Sequence, residues 1–280
     1  MQCPNCGFLV PPHARYCPVD QTDVGFPNVR AAESPEEVKA LESRCTRATQ
    51  DAQSRNCLVI LEDFGRAGLG SKAVICRSLS IVQYLVSSDS ALYNTFHQQV
   101  AAGARMPEDN FWDRARLAVN ATLFPYYQDD IGFAMLSLND RGLTTFGSYV
   151  IVLREAPIAS RSTVFERNSV VFFQKRDDTN IGDATPPGYR AVWARRDRLA
   201  TAKHYGQIGP ATAVGEYSSI LVKPGPTPQD DEFIEVHIYG PIHRRAIEKV
   251  VGPPPRRGER PIYKDLERKL RECGALLETS

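Results

Sequence analysis

The residues best suited to chemistry lie late in the chain, in the run FIEVHIYG at 233–240. Side chains two apart on a strand share a face, so Ile234, Val236 and Ile238 form one apolar face. Phe233, Glu235, His237 and Tyr239 form the other. Such a face has two readings. It is the wet side of an edge strand, or the floor of a site whose carboxylate stabilises positive charge developing in a transition state. On the second reading Glu235 serves the site rather than the core, and its truncation is expected to cost little stability.

A second constellation opens the chain. CPNCGFLVPPHARYCPVDQ carries Cys3 and Cys6 in a C-x-x-C knuckle, ten intervening residues, and then Cys17. Two thiolates spaced this way can grip one tetrahedral zinc, and Gly7 allows the turn that aims both sulfurs inward. The stretch resembles the short zinc ribbon that opens many bacterial proteins. It departs from that pattern at the fourth ligand, where Asp20 stands in place of a cysteine. Asp20 is an acceptable oxygen ligand and His13 is its rival, so the expected set is Cys3, Cys6, Cys17 and one of these two. A closed site of this kind is structural, and such a module bears on docking more than on chemistry. Cys45, Cys57, Cys76 and Cys273 are isolated and read as small hydrophobes.

Composition sets the frame for both. The 280 residues carry 34 basic and 33 acidic side chains, a net charge of +1, so no whole-molecule field draws the protein to nucleic acid or membrane. No apolar run approaches the roughly 20 residues a bilayer span needs, and the N-terminus lacks the texture of a signal peptide. A cytoplasmic protein without a membrane partner is expected.

The elements that must position these residues follow from pattern. Ser34, Pro35 and Glu37 make a capping box with proline at the first helical position, predicting a helix over 35–54. Gly65, Gly68 and Gly70 read as a flexible loop that fits neither phosphate-binding fingerprint. KAVICR is a short strand ending in Arg77, and Trp112, Ala115, Val119 and Leu123 lie on or near one helical stripe. From 130 onward the texture is β: DIGFAMLSL, GSYVIVLRE, STVFERNSVVFF, YRAVWA, YSSILVKP and the Glu235 strand. A proline-rich linker and an amphipathic helix close the chain. Helices first and strands after argue α+β. The expected units are a ribbon at 1–24, a linker and helix at 25–56, a main domain at 57–252, and the linker with C-terminal helix at 253–280.

Three segments, ICRSL, RGLTTFGSYVIVLREAPIASRSTVFERNS and EFIEVHIYGPIHRRAIEKV, occur in that order. Together they resemble the NAD-dependent ADP-ribosyltransferases of bacterial toxin type: an Arg on an early strand, a Ser/Thr motif on a middle one, and one Glu on a late one. The resemblance implies a split β-sheet core with flanking helices, and transfer of ADP-ribose from NAD to a protein or nucleic-acid acceptor. It implies a toxin, effector or phage-defence role, with an antitoxin or other regulator as a further partner. Breaking the nicotinamide bond leaves positive charge on the ribose, which suits Glu235. Arg77 then suits the pyrophosphate, since guanidinium presents a fork of donors. Ser162, Thr163, Phe146 and Tyr149 suit the ring and ribose. His237 would hold the Glu235 carboxylate or meet the acceptor.

One departure bears on the acceptor. Arginine-directed members carry Glu or Gln two positions before the key Glu, where this chain has Phe233. A base or another protein side chain is thereby favoured over arginine, with Gln229 and Asp231 in the preceding loop as contacts. Two rivals remain. A non-enzymatic ribbon-bearing binding protein would use the basic clusters RDRLATAK, HRRAIEK and PPRRGER on phosphates. A metal-dependent nuclease would use the acids of DDEFIEVH, although His237 stands where that chemistry wants a lysine.

Overall fold

The structure, a computed structural model, describes residues 1–95, 97–98, 111–176 and 179–280. The side chain of Trp112 lies outside them. The chain is mixed α+β. Its helices are α1 (Pro27–Ala32), α2 (Pro35–Ser54), α3 (Leu58–Leu69), α4 (Leu79–Leu85), α5 (Phe111–Leu123), α6 (Ser169–Gln174), α7 (Arg196–His204), α8 (Tyr217–Leu221) and α9 (Arg260–Glu272). Its strands are β1 (Lys72–Arg77), β2 (Leu92–Tyr93), β3 (Ile131–Ser137), β4 (Tyr149–Leu153), β5 (Ser162–Phe165), β6 (Arg190–Val192), β7 (Glu235–Tyr239), β8 (Ile242–His243), β9 (Ile247–Gly252) and β10 (Leu276–Thr279).

Eight strands join in the order β10-β9-β4-β1-β3-β7-β5-β6, antiparallel except for β10 beside β9. The joint at the centre is short. β1 pairs with β3 only from Lys72 opposite Ser137 to Val74 opposite Met135. Past Val74, β1 stays with β4 through Arg77 opposite Tyr149, while β3 stays with β7 through Ile131 opposite Tyr239. The sheet is therefore continuous at one end and forked at the other.

Helix α2 begins and ends where its signals place it. Ser34 Oγ accepts from the Glu37 N–H at 3.3 Å. The Glu37 carboxylate does not complete a capping box; it is buried and accepts from the Gly188 N–H and Arg190 Nε at 2.6 and 2.5 Å. Three segments differ from their sequence patterns. The glycines at 65 and 68 lie inside α3, where a Cβ would meet Thr201 Oγ1 at 2.9 Å and Asp197 Cα at 3.3 Å, so they admit a close helix crossing with α7. NSVVFF turns helical because the Asn168 side chain accepts from the N–H groups of Val170 and Val171. YSSIL is α8, which buries Tyr217 and Leu221, one turn apart, with Tyr217 edge-on to Phe64.

The N-terminal ribbon has its own small core of Cys3, Val10, Cys17 and Val24. It is bolted to the domain through α1. Arg30 donates to the carbonyls of Pro12 and Ala14 at 2.8 Å and of Val24 and Gly25 at 3.1 and 2.6 Å. Two residues earlier, buried Asn28 donates to the carbonyls of Arg161 and His237. Among the described residues no helix is long and apolar enough to cross a membrane.

Candidate functional site

The fork in the sheet is the site. A cavity of about 340 Å³ lies between the diverging strands, lined by Val74–Arg77 of β1, Phe133–Met135 of β3 and Glu235 of β7. Tyr93, Thr95, Arg116, Phe146, Asn168, Pro228 and Phe233 complete the wall. The fork also explains how Arg77 and Glu235 meet. Alternation puts Arg77 on the face of Ile75 and Glu235 on the face of Met135, and only where the strands separate can both border one space.

β7 lies inside the sheet, between β3 and β5, and both of its faces are covered. The wet edge strand is thus excluded. Glu235 is 2% exposed. Its Oε2 accepts from the Ser169 N–H and faces His237 Nε2, each at 3.0 Å, and its Oε1 has Arg116 Nη1 at 3.4 Å. Burial works to raise the Glu235 pKa, but the Arg116 charge, the His237 hydrogen bond and charge, and the Ser169 side chain outweigh it and bring it to about 2. The carboxylate is anionic and held by these contacts, and Glu235 borders the cavity.

His237 holds that carboxylate. Its ring is buried among Phe124, Phe133 and Phe165 at 4.9, 5.4 and 5.6 Å between centroids, and it does not border the cavity. On the opposite arm, the Arg77 guanidinium donates to its own residue's neighbour, the Cys76 carbonyl, and lies 5.3 Å from the Tyr93 ring. It is half-buried and close to solvent. Phe146 borders the cavity and meets Phe233 edge-on at 6.1 Å. The next residue, Gly147, has φ +137, and a Cβ there would overlap the Arg77 backbone. Burial pushes the Cys76 thiol up to about 11, so it lines the cavity protonated.

The structure brings Glu235, His237, Arg77 and Phe146 to one place. It does not bring Ser162, Thr163 and Tyr149 to the cavity. Thr163 stands opposite His237 in the β5–β7 register, behind the carboxylate. Ser162 points to the other side of the sheet with its hydroxyl buried, and Tyr149 packs there against Gly252. Arg116, Asn168 and the Ser169 N–H are the participants that sequence reasoning missed. Arg116 did carry a signal: a guanidinium next to Ala115 and one turn before Val119, on the inward stripe of α5, requires a buried acid.

In the ribbon, ligand atoms of Cys3, Cys6, Cys17 and Asp20 all lie within 4.8 Å of one another and could hold a metal ion. Cys3 Sγ is 3.6 Å from both Asp20 oxygens, and Cys6 Sγ is 3.6 Å from Cys17 Sγ. Tetrahedral coordination with bonds of about 2.3 Å sets sulfurs about 3.8 Å apart, so the cluster has the required size. Asp20 fills the fourth place because residues 2–10 and 16–24 repeat one knuckle. Gly7 N–H donates to Cys3 O and Gln21 N–H to Cys17 O, both at positive φ, and Asp20 stands where Cys6 does. Its carboxylate is oriented by the Thr22 N–H at 3.0 Å and Asn5 Nδ2 at 2.8 Å. His13 is elsewhere, its ring tilted against that of Tyr126 with 4.8 Å between centroids.

The acids before β7 are committed to structure. Asp231 is buried and accepts from the Gly225 N–H at 2.9 Å, and Glu232 pairs with Arg167 and Lys203. Gln229 is half-buried in this loop, which Lys175 ties down through Asp230 at 3.1 Å. Among the described residues no group of three metal-ligating side chains forms outside the ribbon. The basic cluster on α7 is also partnered, Arg195 and Arg198 with Glu42 and Arg196 with Glu155. No protein-family model matches the chain, and no curated protein matches it.

Proposed function

We propose that the protein is an NAD-dependent ADP-ribosyltransferase that moves ADP-ribose to a protein or nucleic-acid acceptor. The observation that carries this reading is the forked sheet, with a buried anionic Glu235 on one arm and Arg77 on the other across a single cavity. In this reaction the bond between nicotinamide and the ribose anomeric carbon breaks and its electron pair leaves with the ring. The ribose becomes cationic until the acceptor's nucleophile attacks that carbon and releases a proton. Glu235 bonds a ribose hydroxyl through Oε1 and stabilises the cation, which is where a fixed carboxylate in a site shielded from water contributes most. His237 and the Ser169 N–H keep Oε2 in place. Arg77 supplies charge-assisted donors to the pyrophosphate, and Phe146, Phe233 and Tyr93 offer faces to the ring. Zinc is the proposed ribbon metal, held by Cys3, Cys6, Cys17 and Asp20 in a closed, structural site.

The test is incubation of the purified chain with labelled NAD and a whole-cell lysate. Label is expected in a macromolecular fraction, to be lost with Glu235→Gln. Absence of nicotinamide release with every acceptor fraction tried would remove the transferase reading.

A further inference from the structure

Arg116 is the second guanidinium on the cavity, and its surroundings differ from those of Arg77. Besides the contact with Glu235 Oε1, its Nη1 donates to Ser169 Oγ at 3.0 Å, and its guanidinium carbon lies 4.8 Å from the Phe133 ring centroid. Three elements therefore fix its position: β7 through Glu235, α6 through Ser169 and β3 through Phe133. Among the described residues Arg77 has the adjacent carbonyl and the Tyr93 ring. A guanidinium committed to its own protein on three sides is poorly placed to swing onto a ligand phosphate. It is well placed to neutralise a carboxylate that is 2% exposed.

We propose that Arg116 is a positioning residue for the transfer reaction: it keeps the Glu235 carboxylate charged and aimed into the cavity, and leaves the clamping of ligand phosphates to Arg77. The proposal rests on the transferase reading. Among the described residues the groups that face Glu235 are few. His237 comes from β7, Ser169 from α6, and Arg77 and Cys76 from β1 across the cavity; β3 and β5 place only Met135 and Phe165 opposite it in register. Without Arg116, burial of the carboxylate is opposed by His237 and Ser169 alone among these groups. A Glu235 that protonates in the working pH range cannot stabilise a cationic ribose, so the loss must fall on the acid side of the pH profile.

The experiment compares wild type, Arg116→Met and Arg116→Lys in NAD turnover from pH 4 to 9, alongside NAD binding. The Glu235 carboxyl is titrated in parallel by carbon NMR, its resonance assigned with Glu235→Gln. For Arg116→Met we expect the acid limb of kcat and the carboxyl titration to move up together by about 2–3 pH units, from below the assayed range into its acid end. Affinity for NAD should change little, turnover should recover toward alkaline pH, and Arg116→Lys should restore much of the wild-type profile. An unmoved carboxyl titration in a folded Arg116→Met protein would overturn the proposal. So would a uniform weakening of NAD binding at all pH values, the signature of a phosphate clamp. If the wild type turns over no NAD, the transferase reading fails, and the carboxyl titration still decides whether Arg116 holds Glu235 charged.

Discussion

Replacing Glu235 with Gln tests the buried carboxylate through stability alone. Gln keeps the shape and mimics the protonated acid, but it removes the charge that Arg116, His237 and the Ser169 N–H surround. The folded state lowers the Glu235 pKa from the ordinary 4.5 to about 2. A depressed acid pKa means the ionised form is favoured by folding. Its contribution is complete above the unfolded pKa and is lost as pH falls through the folded one. At about 1.4 kcal/mol for each pH unit of difference, the charge contributes about 3 kcal/mol above pH 5, falls to about 1 kcal/mol near pH 3 and vanishes below pH 2. Glu235→Gln should therefore be less stable than wild type by about 3 kcal/mol at pH 7, and the gap should close on acidification. Urea unfolding followed by far-ultraviolet circular dichroism at pH 7, 5, 4 and 3 measures it. A gap that stays constant with pH, or no gap at pH 7, would refute a charged and paired Glu235. The small stability cost expected from the sequence is replaced here by a large one, because the side chain is buried in an interior strand rather than lying on an open face.

Other perturbations separate the parts of the site. Arg77→Ala should weaken NAD binding about 10- to 100-fold, the scale of a lost charge-assisted hydrogen bond, with the melting temperature unchanged because Arg77 is half-exposed; equal NAD affinity in isothermal titration would count against its role. Gly147→Ala forces a Cβ into the Arg77 backbone at a positive φ and should cost about 1–3 kcal/mol while impairing NAD binding, so a neutral melting curve would contradict that geometry. The purified chain should carry about one zinc. Cys6→Ser and Asp20→Ala should lower zinc content and melting temperature while His13→Ala leaves both alone, and full zinc in Asp20→Ala would return the fourth ligand to question.

Local signals survived folding well. The start and end of α2, the β1 strand up to Arg77, the β3, β4 and β7 strands and the closing helix all follow from caps and alternation, which act over a few residues and do not depend on the rest of the chain. The grouping of Cys3, Cys6 and Cys17 was legible because a knuckle sets its own geometry within four residues, whereas the choice between Asp20 and His13 was made by the fold. Gly65 and Gly68 misled because a glycine that loosens an isolated helix can also admit a neighbouring one, and α7 is distant in sequence. The YSSIL segment misled because its burial against Phe64 is a tertiary fact.

The sequence by itself determined which residue types were available and which side of β7 carried Glu235 and His237. It could not say whether that side was wet, because exposure depends on α5, α6 and the neighbouring strands closing over it. Only the tertiary structure decided that β1 and β3 part company after Val74, and that this parting puts Arg77 and Glu235 on one cavity despite their opposite faces. It also decided that Arg116 completes the carboxylate's surroundings while Ser162 and Tyr149 turn away. Alternation along a strand is fixed by covalent geometry, whereas the place where two strands stop pairing is fixed by the packing of everything around them.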